Sequence, residues 1–251
     1  MSRMTESTVK IQGLSKNFED KTALDNLSLE VAKGELFGLL GPNGAGKTTT
    51  INILCGLVKP TSGSAQVCGY DVQKETQKVK ELIGVCPQET AIYPYLSGAE
   101  NLELFGNLHG MNRKVLKERS DMLLTKLGLK ADAKRLTSKY SGGMKRRLSL
   151  TLALIHNPQV LFLDEPTVAM DPQSRHAVWD FIRDEKNHDK TVILTTHYME
   201  EAEELCDRIG IIDQGKLIAL GTPKELIAKG QVKNLEELFI KLTGRTMREE
   251  S

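Results

Sequence analysis

Apolar and polar residues alternate along the first forty positions, in the two-residue period of half-buried β-strands. After a glycine-rich loop the period changes to that of a helix, which ends at Gly56, and strand-like segments follow it. The pattern therefore predicts a β-rich first third with one helix inside it. The predicted segments are the strands VKIQGLSKNF, LSLEVAKG and ELFGLLG, the helix KTTTINILCG, and the strands GSAQVCG and LIGVCPQ.

The pattern is helical almost throughout from about Ser97 to Asn157. Ser97 and Glu100 have the spacing of a capping box, and a second helix ends at Gly128. From Gln159 strands and helices alternate, as in a parallel α/β sheet. These later segments are QVLFLDE, KTVILTTH, RIGIID and GKLIALG as strands, and PQSRHAVWDFIRDEK, MEEAEELCD and TPKELIAKG as helices.

We therefore predict one α/β domain over residues 1–251, with helices flanking a mixed sheet and an antiparallel β subdomain near its N-terminus. Its core combines residues 8–88 and 159–228, and a helical subdomain is inserted at 89–158. Residues 229–251 are expected to form a short C-terminal tail, frayed beyond Gly244.

The bulk composition excludes several function classes. The net charge is +1, from 34 basic and 33 acidic residues, so there is no electrostatic case for nucleic acid as a partner. The four cysteines are scattered without a C-x-x-C pair, which indicates reduced thiols. No apolar run approaches the ~20 residues that span a bilayer, and the N-terminus lacks a signal-peptide core. We expect a cytoplasmic protein whose membrane role, if any, needs a partner.

A phosphate-binding loop follows the third predicted strand, where G-x-x-x-x-G-K-T stands between an apolar strand and a helix. Its backbone N–H groups would contact phosphates, Lys47 would reach the β- and γ-phosphates, and Thr48 would ligate Mg²⁺. A glycine turn that binds nothing is the alternative, but a turn needs no Lys-Thr pair. The residues predicted to bind ATP here are Gly41, Pro42, Asn43, Gly44, Ala45, Gly46, Lys47, Thr48 and Thr49.

Two acids end the apolar strand VLFLDE, at the edge where ligands bind to parallel sheets. Asp164 is predicted to serve the magnesium ion. Glu165 is placed to accept a proton from the water that attacks the γ-phosphate. The alternative for Glu165 is a surface acid at the entry of a helix.

Four motifs in this order carry a family resemblance: the phosphate loop (Walker A) at 41–48, YSGGM at 140–144, LFLDEPT at 161–167 and TTH at 195–197. Together they resemble the nucleotide-binding subunit of an ATP-binding-cassette (ABC) transporter. The resemblance implies a P-loop NTPase core and a head-to-tail dimer, in which each ATP lies between the Walker A loop of one chain and the signature motif of the other.

The signature motif is usually L-S-G-G-Q, and here Tyr140 and Met144 replace its first and last residues. Ser141, Gly142 and Gly143 would contact the γ-phosphate held by the partner chain. The alternative, a simple helix cap at Ser141, is compatible with this role. The variant YSGGMKRRL resembles the daunorubicin-resistance-type export branch.

The resemblance assigns four more residues. Gln88 would contact magnesium and the attacking water and sense the transmembrane partner, and His197 would lie near the γ-phosphate. Asp171, in the variant stretch 168–171, would help to join the two sites. Phe18 would stack on adenine, although burial in the core is a serious alternative for it.

We assign no function to two runs of charged residues. Lys145, Arg146 and Arg147 follow the signature motif, and a solvent-facing helix surface is the favoured interpretation. Four glutamates between 200 and 204 lie early in a helix, where the helix dipole favours them.

We predict the ATP-hydrolysing subunit of a transporter, on the cytoplasmic face of the membrane, with its permease on a separate chain and a second ATPase subunit, most simply a copy of itself. Export is favoured by the signature variant and by the short chain, which leaves no room for a large C-terminal regulatory domain. The alternative is a soluble cassette ATPase, as in iron–sulfur cluster assembly. It is opposed by apolar and aromatic residues that we expect to be exposed and that suit a groove for a permease helix, namely Ile92, Tyr93, Tyr95 and Leu96.

Overall fold

The computed structural model of the protein describes residues 7–19, 21–168 and 170–244. Its strands are β1 (Ser7–Phe18), β2 (Lys21–Ala32), β3 (Leu36–Leu40), β4 (Ser62–Val67), β5 (Tyr70–Asp71), β6 (Ile83–Cys86), β7 (Val160–Asp164), β8 (Thr191–Thr196), β9 (Arg208–Asp213) and β10 (Lys216–Gly221). Its α-helices are α1 (Lys47–Leu54), α2 (Thr76–Leu82), α3 (Gly98–Leu108), α4 (Arg113–Lys126), α5 (Gly142–Leu154), α6 (Pro172–Asn187), α7 (Met199–Leu205), α8 (Pro223–Gly230) and α9 (Leu235–Thr243).

The strands form two sheets. One has the order β2-β1-β4-β5, and its neighbouring strands are antiparallel. The other has the order β10-β9-β3-β8-β7-β6, in which only the β10–β9 pair is antiparallel. This confirms the predicted class, an α/β fold with a mixed sheet and an antiparallel β portion at the N-terminal end.

The register of the parallel strands brings their carboxyl ends to one edge. Leu40 at the end of β3 lies opposite Thr196 at the end of β8, and Asp164 at the end of β7 lies opposite Thr195. The segments that follow β3, β6, β7 and β8 therefore leave the sheet side by side. Ligands of open α/β sheets bind at this edge.

Two apolar clusters cover the two faces of the mixed sheet. Leu36 and Leu40 of β3 belong to the cluster that also contains the inner faces of α3, α4 and α5. Phe37 and Leu39 point to the opposite cluster, which joins the sheet to α1 and to the antiparallel sheet. Because successive side chains of a strand alternate between faces, β3 lies between both cores and must be apolar throughout.

The predicted capping box at the start of α3 is confirmed. The Ser97 hydroxyl accepts a hydrogen bond from the Glu100 N–H at 3.2 Å, and the Glu100 carboxylate accepts one from the Ser97 N–H at 2.7 Å. Both contacts satisfy N–H groups that the first helical turn leaves without partners, so the entry to α3 is fixed locally.

The prediction of a tail over 229–251 is wrong for the part that forms α9. The Asn234 side chain caps this helix by accepting from the Glu237 N–H at 2.9 Å, and Leu235, Leu238 and Phe239 are buried. These apolar residues recur at three- and four-residue spacing, which is the signal of a packed helix. The predicted fraying beyond Gly244 lies outside the described residues.

Replacing Phe239 by alanine tests whether α9 belongs to the core. The Phe239 side chain has no exposed surface, so Phe239→Ala should lower the free energy of unfolding by about 3–5 kcal/mol in a urea titration. The matched control is Ile240→Ala on the same helix, where the side chain is 37% exposed and little change is expected. Equal losses in the two variants would show that α9 is not packed as described.

Candidate active site

The loop between β3 and α1 forms one wall of a cavity of about 370 Å³. Gly46 immediately precedes α1 and has a φ of 110°, a backbone conformation that side chains rarely adopt. A Cβ atom at Gly46 would also lie 2.6 Å from the Ala23 carbonyl oxygen, so only glycine fits. The cavity is lined by Phe18, Lys21, Ala23, Pro42, Asn43, Gly44, Gly46, Lys47, Thr48, Thr49, Gln88 and Glu165.

Lys47 is the cation at the floor of this cavity, and its side chain is 5% exposed. Its Nζ donates to the carbonyl oxygens of Gly41 at 2.7 Å and Pro42 at 3.2 Å, and lies 3.2 Å from Glu165 Oε1. Burial lowers the pKa of Lys47, while the Glu165 and Asp164 carboxylates limit that decrease. The cavity therefore presents a desolvated ammonium group beside the N-terminus of α1, a combination suited to phosphate.

Glu165 follows β7 in a left-handed backbone conformation, with a φ of 50°. One carboxylate oxygen pairs with Lys47, and the other lies 3.0 Å from His197 Nδ1. Burial raises the pKa of Glu165, but the hydrogen bond from His197 and the charge of Lys47 outweigh burial, so the net shift is downward. The side chain is therefore an ionised, oriented carboxylate, as a proton acceptor requires.

His197 comes directly after β8 and is half-buried. Because the Glu165 carboxylate can only accept a hydrogen bond, Nδ1 of His197 carries the proton in this contact. The imidazole also packs against the Tyr198 ring, with 4.1 Å between ring centroids. His197 is thus held by contacts on its edge and its face, unlike a freely rotating polar side chain.

Only two of the three residues predicted to bind magnesium line the cavity. Thr48 and Gln88 line the cavity and are exposed, whereas Asp164 lies beneath it with 3% exposure and accepts a hydrogen bond from the Thr195 hydroxyl. Within the described ranges, no three acidic, histidine or cysteine side chains form a metal cluster. The hydroxyl of Thr48 and the carboxylate of Asp164 are oxygen donors of the kind that Mg²⁺ takes, and Mg²⁺ keeps waters and phosphate oxygens as its other ligands.

Phe18 lies at the mouth of the cavity rather than in the core. Its side chain is 44% exposed, and Lys16 Nζ lies 4.7 Å from the centroid of its ring. The exposure argues against the alternative that Phe18 is a core residue. One face of an aromatic ring at this position is available for stacking on a base.

The signature motif is at the start of α5, and its residues do not line the cavity. The Ser141 hydroxyl accepts from the Met144 N–H at 3.2 Å, so the helix cap exists. A Cβ atom on Gly142 or Gly143 would meet nothing within 4 Å, so their own chain does not require glycine at either position. Tyr140 is buried and donates through its hydroxyl to the Asp132 carbonyl at 2.7 Å, which explains how tyrosine fits in place of leucine.

Asp171 also lies away from the cavity lining. Its side chain caps α6 by accepting from the Ser174 N–H at 3.0 Å, and it is exposed. The hydrogen bonds from Ser174 lower the pKa of Asp171. Like the signature residues, Asp171 does not line the cavity of its own chain.

The interpretation of 145–147 as a solvent-facing surface is wrong for Arg146. Arg146 is 4% exposed and donates to five backbone carbonyl groups. These carbonyls belong to Pro87, Gln88, Asp164, Glu165 and Pro166. The sequence signal was ambiguous, because a run of three basic residues does not show which of them points inward.

Glu201 is the second charged residue that the sequence left without a role. It has no exposed surface, whereas Glu200, Glu203 and Glu204 in the same run are exposed. Its Oε1 accepts from the Thr167 hydroxyl at 2.7 Å and from the Trp179 indole N–H at 2.9 Å. Glu201 therefore ties α7, just after His197, to the segment just after Glu165.

Comparison with known proteins gives the family. The ABC transporter family profile matches residues 24–168. The daunorubicin resistance ATP-binding protein DrrA3 of Streptomyces coeruleorubidus is 45% identical over 226 residues, which cover 90% of this chain and 72% of that protein. The Nod factor export ATP-binding protein I of Paraburkholderia xenovorans is 42% identical over 236 residues, 94% of this chain and 78% of that protein.

A solved dimeric ATP-binding cassette, in a post-hydrolysis state bound to ADP and phosphate, superposes with a TM-score of 0.79 at 26% identity, over 85% of this chain and 98% of that one. No helix among the described residues is long and apolar enough to cross a bilayer. The relatives confirm the resemblance to the daunorubicin-resistance type. The chain belongs to the ABC transporter family, and it is an ATP-hydrolysing subunit.

Proposed function

We propose that the chain hydrolyses ATP in the cavity at the edge of the mixed sheet and thereby drives a permease on a separate chain, in the direction of export. The observation that carries this proposal is the contact chain Lys47–Glu165–His197. Lys47 Nζ, a cation for phosphate, lies 3.2 Å from Glu165 Oε1, and His197 Nδ1, which orients this ionised base, lies 3.0 Å from Glu165 Oε2. Lys47 would bind the phosphates, and Glu165, oriented by His197, would accept a proton from the water that attacks the γ-phosphate.

The phosphates of ATP compete with Glu165 for Lys47. A phosphate group carries more negative charge than a carboxylate and also receives the N–H groups at the start of α1. Lys47 therefore moves from Glu165 to the phosphates when the nucleotide binds. This frees Glu165 Oε1 to accept a proton from the attacking water, while His197 still holds Oε2.

The residues that would hold Mg²⁺ are the Thr48 hydroxyl, the Asp164 carboxylate and the Gln88 side chain. A bound magnesium ion supplies positive charge to the β- and γ-phosphate oxygens. Thr195 limits the rotation of Asp164 by its hydrogen bond to that carboxyl group. Asp164 therefore keeps one orientation for the ion or for its water.

A second copy of the chain would complete each site. Gly142 and Gly143 have open space where side chains would be, and this supports an approach by a phosphate group from outside the chain. The N-terminus of α5 adds favourable dipole charge for that phosphate. The dimeric cassette with ADP and phosphate is a precedent for pairing in this family. Ser141 and Asp171 are exposed and free to face the second copy.

The partner in the membrane would dock beside α3. A cavity of about 320 Å³ lies here, lined by Leu57, Val85, Phe105 and neighbouring residues. Of the four residues expected to be exposed here, Tyr93 and Tyr95 are 52% and 85% exposed, whereas Ile92 and Leu96 are half-buried, which the sequence did not predict. The Tyr93 ring packs against Phe105 of the cavity wall, with 6.4 Å between ring centroids. An apolar hollow beside an exposed aromatic residue suits a helix of another protein. The soluble iron–sulfur alternative does not account for this surface.

Export is supported by the relatives, because one of them is named for Nod factor export. The signature variant YSGGM points the same way through its resemblance to the daunorubicin-resistance type. The permease, rather than this chain, would select the cargo, and it would hold the chain at the cytoplasmic face of the membrane.

Exchanging the acid for its amide tests Glu165. Glu165→Gln should keep ATP binding and lose turnover by roughly 10²–10⁴-fold, the usual contribution of a positioned base. Lys47→Ala should instead abolish ATP binding, because Lys47 is the buried cation of the cavity. Binding is measured by equilibrium titration and turnover by phosphate release. Unchanged turnover in Glu165→Gln would remove Glu165 from the role of base.

Truncating the aromatic ring at the mouth of the cavity tests adenine stacking. Phe18→Ala should weaken ATP binding by about 1–3 kcal/mol, as for other bases stacked on aromatic side chains. Phe18→Tyr is the control and should bind ATP normally. Both variants should keep the melting temperature of the native chain, because Phe18 is 44% exposed. Normal ATP affinity in Phe18→Ala would rule out stacking.

Mixing two defective chains tests whether the signature motif acts in trans. Gly142→Asp adds a side chain and a negative charge where a phosphate must approach, yet its Cβ meets nothing in its own chain. The variant should fold and bind ATP as a single chain but lose turnover. When Gly142→Asp is mixed with Glu165→Gln, a head-to-tail dimer carries both defects in one site and none in the other.

Two outcomes of this mixture support the trans arrangement. Restored hydrolysis indicates independent sites. If hydrolysis is not restored, ATP-dependent dimerisation should persist for Glu165→Gln alone and disappear for Gly142→Asp. Full ATPase activity in Gly142→Asp alone would contradict the arrangement.

A further inference from the structure

Arg146 uses every hydrogen-bond donor that it has. Its Nε donates to the Pro166 carbonyl at 3.0 Å, Nη1 donates to Pro87 and to Gln88, the latter at 3.0 Å, and Nη2 donates to Asp164 and to Glu165, the latter at 2.8 Å. A guanidinium group has five N–H donors in a fixed plane, and all five are matched here by carbonyl oxygens. A surface arginine held by solvent does not show such saturation.

The five carbonyls come from two segments that are distant in sequence but adjacent at the edge of the sheet. One segment, 87–88, follows β6, and the other, 164–166, ends β7. The helix that carries Arg146 is α5, which begins at the signature motif. Arg146 therefore links the signature helix by hydrogen bonds to both of these backbone segments.

Glu165 is the residue among these five whose backbone is strained. Its φ of 50° is a left-handed conformation, which is strained for a residue with a side chain and persists only where surrounding contacts hold it. The Glu165 N–H donates to the backbone carbonyl of Thr195 at 3.2 Å and to its hydroxyl at 3.0 Å. The Glu165 carbonyl accepts from Arg146 at 2.8 Å and from the Val168 N–H at 3.3 Å, so Arg146 makes the shorter of its two contacts. Both sides of this residue are thus fixed, one by β8 and one by α5.

We propose that Arg146 is a positioning residue for hydrolysis: it holds the Glu165 backbone, and with it the carboxylate, in place, and ties that geometry to the signature helix. The inference rests on the proposed role of Glu165 as the base. A displacement of α5 by the partner's nucleotide would pass through one guanidinium group to Glu165 and Gln88. The two nucleotide sites of a dimer would then be connected inside each chain.

The geometry also explains why lysine would not serve. A lysine ammonium group keeps the charge but has three donors on one atom, so it cannot reach five carbonyls spread over two segments. Arg146→Lys should therefore lose the hydrogen bonds to the backbone at Glu165 or at Gln88, while a positive charge stays in the same place. Walker A contacts to the nucleotide are not touched.

The test compares Arg146→Lys with Arg119→Lys in the full chain. Arg119 is a matched control, because it also donates to backbone carbonyls of the helical subdomain, at Leu154 and Ile155, but at the far end of α5 from the site. We expect kcat for ATP to fall roughly 10- to 100-fold in Arg146→Lys, the effect of a displacement of about 1 Å in a reacting group. ATP affinity, titrated without hydrolysis in EDTA, should be unchanged. Arg119→Lys should keep both values.

The melting temperature of each variant separates positioning from folding. A loss of kcat in Arg146→Lys at a melting temperature no lower than that of Arg119→Lys supports the proposal. Full kcat in Arg146→Lys overturns it, and so does a loss of kcat that both variants share in proportion to their melting temperatures. If Arg146→Lys does not fold, Arg146→Gln takes its place in the same comparison, and failure of both to fold makes Arg146 a structural requirement and overturns the proposal.

Glu165→Gln, measured beside these variants, distinguishes failure of the positioning role of Arg146 from failure of the proposed role of Glu165 as the base. If Glu165→Gln loses turnover and Arg146→Lys does not, the proposed base stands and the positioning role fails. If Glu165→Gln keeps turnover, the base assignment itself fails.

Discussion

The parallel alignment of β3, β8 and β7 is the constraint on which the site depends. Because Leu40 lies opposite Thr196, and Asp164 opposite Thr195, the phosphate loop, the Glu165 turn and His197 leave the sheet at one edge. These strands are buried on both faces, so slipping any of them by one residue would turn apolar side chains toward the wrong core. The hydrophobic effect thus fixes the positions of the charged groups, although none of them contributes to the core.

The buried charges at this edge are stable only as a set. Lys47 is desolvated and needs an anion, and Glu165 supplies it while His197 satisfies the other carboxylate oxygen. A nucleotide that brings phosphate would replace Glu165 as the partner of Lys47 and would release the proposed base at the same moment. Binding and activation would therefore be one exchange of ion pairs, in a cavity where charges interact more strongly than in water.

Sequence reasoning reached the fold class and most of the cavity because those features depend on local patterns. The glycine loop before α1 and the two acids at and just after the end of β7 stand at fixed offsets from apolar strands, so Lys47 and Glu165 could be named from the local pattern, whereas His197 was assigned by the family resemblance. Arg146 and Glu201 could not, because their burial depends on tertiary packing around charge runs that look solvent-exposed. The helix α9 was missed for a different reason: its pattern of Leu235, Leu238 and Phe239 is present in the sequence, but the prediction included the stretch in a short C-terminal tail.

The central claim is that Lys47 passes from Glu165 to the phosphates of ATP, in a site completed by the signature motif of a second chain. The most direct measurement is a crystal structure of the Glu165→Gln protein with ATP and Mg²⁺. The account predicts that Lys47 Nζ contacts the β- and γ-phosphates and no longer contacts residue 165, with Ser141 and Gly142 of a second copy at the γ-phosphate. Nucleotide bound while Lys47 still contacts residue 165, or a γ-phosphate with no contact from a second copy, would contradict it.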